Sequence, residues 1–375
     1  MTTQQKLNLI IQNIQEVIGL DELEKLIENG VKLKHYIGFE ISGRIHLGTG
    51  IVSMKKVKDF ADAGVEVSIF LADWHAWIND KLGGNKEIIQ KIGVSYFKEG
   101  FKKCYELVGG NPQDLKFVLG SELYHNNDEY WQTLVDVSKN LTLSRVMKSS
   151  TIMGRQQGES MPFAWLLYPP MQVADIFIQG VNLAHAGMDQ RKAHVIAREV
   201  ATKLKYSPLK DGQGNIIKPI AVHHPLILGL NKPHIWPVSN QSQLREVLSE
   251  MKMTKSKPDS AVFVDDSEED VRRKINKAFC PEGETEFNPI LDWTKHIIFP
   301  NTKDQIIIKR EEKHGGDASY ADYGELEKDF KDKKLHPQDL KNFVADWLIE
   351  FLRPIRNHFA KGEAKKMKEE LENIL

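Results

Sequence analysis

Short apolar runs that alternate with helical stretches constrain this chain more than any other feature. Strand-like runs fall at Tyr36–Glu40, Val67–Ala72, Lys116–Gly120, Leu183–Gly187 and Ile220–His223, and segments of helical periodicity separate them. Such alternation predicts a parallel sheet with helices on both faces. Phe70-Leu71-Ala72-Asp73 is an apolar run ending in a polar residue, as expected at the carboxyl edge of such a sheet. Residues 4–29 carry Leu7, Ile10, Ile11, Ile14, Val17 and Ile18 at helical spacing and predict an amphipathic helix. Residues 86–165 read as mainly helical, lying between the two halves of the sheet. Beyond about residue 257 the alternation ends. Asp266–Phe279, Tyr323–Lys331, Pro337–Phe359 and Glu363–Leu375 read as helices and predict an all-α domain. Asp266-Ser267-Glu268-Glu269 suits a helix start, a capping residue followed by acidic residues in the first turn.

At 375 residues the chain exceeds one typical domain and can bury a large core. The formal net charge of −1 gives no global sign of nucleic-acid binding, so any such role needs local basic patches. Cys104 and Cys280 are the only cysteines, which fits a reducing, cytoplasmic setting and argues against a zinc cluster. No apolar run reaches membrane-spanning length, and Met1 to Gln15 lacks the pattern of a signal peptide.

Two short segments carry the chemistry. Ser42-Gly43-Arg44-Ile45-His46-Leu47-Gly48-Thr49-Gly50 lies between a predicted strand and a helix predicted over Val52–Ala63. A small-residue turn at a helix start brings backbone N–H groups and the positive end of the helix dipole to an anion. Gly48 lets a purine or phosphate approach the backbone, and His46 can donate to a phosphate oxygen. Alone, His46 reads rather as an ordinary loop histidine, and the second motif turns the reading to function. Lys252-Met253-Thr254-Lys255-Ser256-Lys257 puts three ammonium groups within six residues, and Pro258 then stops any helix. Lysines closing on a leaving pyrophosphate stabilise the transition state more than the ground state. A lysine run alone is usually a solvated basic loop, so this one gains its weight from its partner motif and from Met253. In this order, the pair resembles the two signature motifs of class I aminoacyl-tRNA synthetases, H-I-G-H and K-M-S-K-S. Thr49 stands where the family has its last histidine and keeps hydrogen-bonding capacity without positive charge. Thr254 stands where the family has serine and keeps the hydroxyl.

The resemblance narrows with Tyr36-Ile37-Gly38-Phe39-Glu40, Tyr168-Pro169-Pro170-Met171-Gln172-Val173-Ala174-Asp175, Gly187-Met188-Asp189-Gln190-Arg191-Lys192 and Leu335-His336-Pro337-Gln338-Asp339-Leu340-Lys341. These are similar to archaeal and eukaryotic-type tyrosyl-tRNA synthetases through almost the whole chain. The resemblance implies a Rossmann-like catalytic domain at 1–256 with a helical connective insertion at about 86–165. An all-α anticodon-binding domain at 257–375 follows. It also implies a homodimer with L-tyrosine, ATP with Mg²⁺, and tRNA(Tyr) as partners.

By position, the resemblance assigns Tyr36 and Asp175 to the phenol hydroxyl of tyrosine. Tyr168, Gln172 and Gln190 fall to its α-amino group. Tyr168, Gln172 and Asp175 fall at i, i+4 and i+7, one face of a helix. A phenol donates to a carboxylate and accepts from a hydroxyl, so loss of that hydroxyl leaves Asp175 short of a partner. Strong rejection of phenylalanine without editing follows, a behaviour for which tyrosyl enzymes are the standard example. His46, Gly48, Thr49, Gly187, Asp189 and Lys255 are implied ATP contacts, with His46, Lys252 and Lys255 acting in catalysis. Asp189 reads equally as a turn residue capping the next helix. Asp73, His75 and Asn79 follow a strand edge and are further candidates for the amino-acid pocket. Lys148, Arg191 and Lys192 match positions reading the acceptor stem, and His314, His336 and Asp339 match positions reading the anticodon. Each also reads as a surface residue, and Asp339 as a helix-start carboxylate. The tyrosine carboxylate is already ionised, so no protein base is needed and no cysteine, serine or histidine nucleophile is expected; with only two isolated cysteines, no structural metal is expected either. Competing readings are a tryptophanyl enzyme, a tRNA-binding protein without catalysis, and a small-molecule nucleotidylyltransferase.

Overall fold

The computed structural model describes residues 1–375 except 155–160, 239, 241, 242, 244–246, 248, 249 and 254–257, and leaves the side chain of His314 undescribed. The four-residue segment Thr254-Lys255-Ser256-Lys257, with the proposed catalytic Lys255, therefore lies outside the described residues.

Six strands form the central sheet: β1 Glu16–Ile18, β2 His35–Glu40, β3 Ser68–Ala72, β4 Lys116–Leu119, β5 Leu183–Gly187 and β6 Ile220–His224. Their spatial order is β1-β6-β5-β2-β3-β4, parallel throughout except for the antiparallel edge pair β1–β6. Alternate side chains leave opposite faces. Ile37, Ile69, Leu71, Leu183, Ile220 and Val222 enter one apolar core, and Tyr36, Phe70, Ala72 and Ala184 enter the other. Strand order reverses at β2, which has β3 on one side and β5 on the other. Such a switch point opens a crevice at the carboxyl ends of the strands, where ligands bind in open α/β sheets.

The single helix expected over residues 4–29 is two helices, Thr3–Ile11 and Leu20–Glu28, separated by β1. Asn13 at φ 55° breaks the first helix. Gln15 then donates its N–H to His223 O at 2.9 Å, starting the pairing with β6. Gly19 at φ 94° turns the chain into the second helix, and a side chain there would meet Glu22 and Arg198. Val17 and Ile18 thus serve the sheet rather than a helix face. The stretch 86–165 also contributes β4 to the sheet edge, across the helix Val94–Leu107.

Helices dominate the end of the chain: Glu268–Lys277, Pro289–Trp293, Tyr323–Lys331, Pro337–Phe359 and Gly362–Glu372. Ser267 caps the first, accepting from the Asp270 N–H. The region is not purely helical, because Ile306–Ile308 (β7) and Ala318–Tyr320 (β8) pair as an antiparallel ribbon. One apolar core runs from the sheet into these helices, taking in Ile45, Cys104, Trp293, Val344, Leu348 and Phe359. Phe97, Phe101 and Cys104 are spent in this core. The exposed large apolar residues of the middle region are Trp131, Val135, Leu143, Met147, Phe163 and Leu167.

Candidate active site

A cavity of about 940 Å³ opens at the switch point. Its walls come from β2 and the turn after it, from the helix Tyr168–Ile178, from the turn after β5, and from Lys252 and Met253. The first sequence motif and the described start of the second, Lys252 and Met253, meet here about two hundred residues apart in sequence.

Their meeting has a backbone basis. Residues 45–47 lie against 262–264: Leu47 N–H donates to Val262 O at 3.0 Å, and Val264 N–H to Ile45 O at 2.9 Å. Met253 is buried, and its N–H donates to Ile227 O at 2.7 Å. Gly50 makes this closeness possible, since a Cβ there would lie 2.9 Å from Cys104 Sγ, Ile45 and Val264. At Gly48 a Cβ would press on the His46 ring at 3.2 Å. The Thr49 N–H donates to His46 Nδ1 at 3.2 Å, and Thr49 Oγ1 lies 3.0 Å from His46 Nε2. With Nδ1 accepting, a neutral His46 carries its proton on Nε2. Thr49 therefore orients the histidine. Lys252 Nζ reaches Asp189 Oδ2 at 3.3 Å.

In the neighbouring part of the cavity, Tyr168, Gln172 and Asp175 line one wall from a single helix face. Asp175 is 1% exposed. Its Oδ1 accepts from the Tyr124 hydroxyl at 3.0 Å, while Oδ2 has no hydrogen-bond partner. Burial pushes the Asp175 carboxyl well above the usual range, and the Tyr124 bond opposes that shift. Tyr36 is buried in the same wall, and burial keeps its phenol protonated. His75 Nε2 lies 3.7 Å from Asp175 Oδ2, but burial pulls His75 down to about 3, so the neutral ring forms no ion pair. Gln172 Nε2 donates to Gln190 Oε1 at 3.2 Å, and Gln190 Nε2 to Ile152 O at 3.0 Å. Gln172 Oε1 is buried without a partner.

Sequence reasoning missed Tyr124 and Glu40. Glu40 Oε1 accepts from Asn79 Nδ2 at 2.7 Å and from the Tyr168 hydroxyl at 3.4 Å. Asn79 thus acts through Glu40. Asp73 is elsewhere: it accepts from Ser121 N–H at 2.9 Å and Gln90 Nε2 at 2.8 Å, bonds that join neighbouring elements. Nothing in the local pattern around Tyr124 marks it, because its partner is fifty-one residues away.

Lys148, Arg191 and Lys192 come together outside the cavity. Lys192 Nζ donates to Lys148 O at 3.0 Å and Thr151 Oγ1 at 2.7 Å, and Arg191 Nε pairs with Glu16 at 2.7 Å. His336 caps the helix Pro337–Phe359, its Nδ1 accepting from Gln338 N–H at 3.1 Å, and Asp339 sits in that helix's first turn. Both are helix-start residues in this structure. His314 ends a short turn, Glu312–His314. No described helix is long and apolar enough to cross a membrane.

Residues 28–353 match the model of the tRNA synthetases class I (W and Y) family. The chain is 56% identical over 362 residues to a tyrosine–tRNA ligase of Pyrococcus abyssi and 55% identical to that of Thermococcus sibiricus, covering 96% of each partner and of itself. Its structure superposes on a crystal structure of tyrosyl-tRNA synthetase complexed with L-tyrosine from Pyrococcus horikoshii with a TM-score of 0.96, at 52% identity and full coverage of both chains.

Proposed function

We infer the working of the site from one premise: the chain belongs to the class I tRNA synthetases of the tryptophan and tyrosine group, and its reaction is tyrosine–tRNA ligation. Tyrosine and ATP form tyrosyl-adenylate and pyrophosphate, and the terminal ribose of the tRNA then takes the tyrosyl group, releasing AMP. In the first step the carboxylate oxygen bonds to the α-phosphorus as the bond to the pyrophosphate oxygen breaks. The nucleophile is already charged, so positioning and charge stabilisation dominate.

The observation that carries the amino-acid assignment is the buried carboxylate of Asp175, with one oxygen held by Tyr124 and the other unpartnered beside Tyr36. A substrate phenol donates to that oxygen and accepts from Tyr36. An indole offers an N–H but no acceptor, which favours tyrosine over tryptophan. Tyr168, Gln172 and Gln190 hold the α-amino group, for which Gln172 Oε1 supplies an acceptor. Gly187 and Asp189 take the ribose, and Gly48 and Thr49 take the adenylate side of ATP. His46, Lys252 and Lys255 stabilise the charge that develops on the phosphates. Among the described residues, no group of three or more His, Cys, Asp or Glu side chains is placed to hold a metal. Mg²⁺ would enter with ATP and supply positive charge to the phosphates as pyrophosphate leaves.

We further assign Lys148, Arg191 and Lys192 to the acceptor stem, and His314, His336 and Asp339 to the anticodon. The chain divides near residue 256 into catalytic and anticodon-binding parts. The exposed apolar residues Trp131, Val135, Leu143, Met147, Phe163 and Leu167 support a homodimer through the middle region, in a cytoplasmic enzyme. Charging of a tRNA(Tyr) transcript with labelled tyrosine tests the reading. Ester-linked tyrosine supports it, and adenylate formation without transfer contradicts the tRNA assignments.

A further inference from the structure

β6 ends in two adjacent histidines, whose side chains leave opposite faces of the sheet. His223 joins His194 at 3.0 Å and Glu16 at 3.0 Å. His224 ends a separate buried row. Its Nδ1 lies 2.8 Å from His185 Nε2, and His185 Nδ1 lies 3.1 Å from His35 Nε2. The row crosses three neighbouring strands, β6, β5 and β2. It begins near the buried ammonium of Lys56, which opposes protonation of His35, and it ends on the cavity wall at His224. None of the roles assigned above uses these three rings.

All three are neutral. Burial pulls His35 down to about 3, His224 to about 4, and His185 well below the usual histidine range. A neutral imidazole has one N–H, so three in a row hydrogen-bond in only two directions. In one, each N–H points toward the cavity and His224 presents Nε2–H there. In the other, each N–H points inward and His224 presents a lone pair. The last N–H then falls on His35 Nδ1, an atom buried without a partner. An orphaned buried N–H is rarer than an unused acceptor. The inward direction also turns a lone pair toward Asp189. A Cβ built on Gly187 would lie 3.0 Å from Asp189 Oδ1 and 3.4 Å from His224 Nε2, so both atoms flank one point. The outward direction avoids both penalties and leaves a donor and an acceptor facing the space that Gly187 keeps open.

We propose that His224 is a specificity residue for the ribose of ATP, its Nε2–H donating to the hydroxyl that donates to Asp189, and that His185 and His35 are positioning residues that hold its proton on Nε2. A hydroxyl gives one hydrogen bond and accepts others, so it satisfies both groups at once. A deoxyribose carbon leaves both unpaired, which is the strongest basis for discrimination a polar pocket has. The proposal rests on the reading of Asp189 as the ribose acceptor.

The test is tyrosine-dependent ATP–pyrophosphate exchange with ATP, 2′-deoxy-ATP and 3′-deoxy-ATP. The wild-type protein prefers ATP over the analogue that lacks the bridging hydroxyl. His224→Leu lowers that preference about tenfold by weakening ATP alone. His185→Leu lowers it in part, and His185→Gln, whose amide N–H again donates to His224 Nδ1, restores it. Spectra of ¹⁵N-histidine protein place the His224 proton on Nε2 in the wild type and on both nitrogens in His185→Leu. Should His224→Leu not fold, the His185 pair and the spectra decide. If Asp189→Ala lowers the preference while His224→Leu weakens all three nucleotides equally, the ribose reading stands and this proposal fails. If neither variant changes the preference, the ribose reading fails and the proposal with it. A wild-type His224 proton on Nδ1 also overturns it.

Discussion

Gly187→Ala probes the nucleotide site with little other disturbance. Gly187 sits at φ −67° and ψ 158°, an extended conformation open to alanine, so the change adds no backbone strain. The new Cβ would lie 2.8 Å from Leu226 Cδ2, 3.0 Å from Asp189 Oδ1 and 3.4 Å from His224 Nε2. The Leu226 contact is with the far end of a side chain that can rotate. The methyl group itself occupies the space between Asp189 and His224, and a ribose held there must withdraw. Withdrawal forfeits a hydrogen bond to a carboxylate, worth about 1.5–3 kcal/mol. That corresponds to a rise of about 10- to 150-fold in the KM for ATP. The assay is tyrosine-dependent pyrophosphate exchange across ATP concentrations, with tyrosine affinity by calorimetry and Tm as controls. Tyrosine binding and Tm should stay near normal. An unchanged KM for ATP in a folded variant would refute the placement of the nucleotide over Gly187.

Four further outcomes follow from the same geometry. Asp175→Asn replaces a charge-assisted bond to the substrate phenol with a neutral one about half as strong, and kcat/KM for tyrosine in exchange should fall about 3- to 12-fold. Lys252→Ala removes an ammonium from the phosphate side and should lower exchange kcat about 100-fold with little change in tyrosine KM, a pattern that steady-state kinetics resolves. Arg191→Ala should lower tRNA charging more than exchange, measured side by side on one preparation. Stability should fall on acidification below about pH 6.5, read as Tm against pH. His35, His75, His185, His194, His224 and His296 are all pulled down by burial, so the unfolded chain binds the extra protons between pH 6.5 and their lowered values. Each such histidine removes about 1.4 kcal/mol per pH unit in that window. Asp175 and Asp292, both pushed up by burial, act in the opposite sense there but are outnumbered.

Much of this was legible in the sequence because it is local. Strands β3, β5 and β6 are buried at every residue, which removes any need for alternation. The face shared by Tyr168, Gln172 and Asp175 follows from helix pitch, and all three line the cavity. What escaped depends on contacts distant in sequence. β1 holds three residues inside a helix-like pattern, and only pairing with β6 makes it a strand. The β7–β8 ribbon rests on three-residue strands too short to show a period. Tyr124 and the histidine row are set by which strands become neighbours, as is the reach of Lys252 to Asp189.

Pyrophosphate exchange by the purified chain, with tyrosine, tryptophan and phenylalanine offered separately and no tRNA present, reads the amino-acid pocket and the adenylation step together. Exchange should occur with tyrosine alone. Exchange driven by tryptophan or phenylalanine at a comparable rate would contradict the role of Asp175 and Tyr36, and no exchange in a folded, ATP-binding sample would contradict the adenylation chemistry itself.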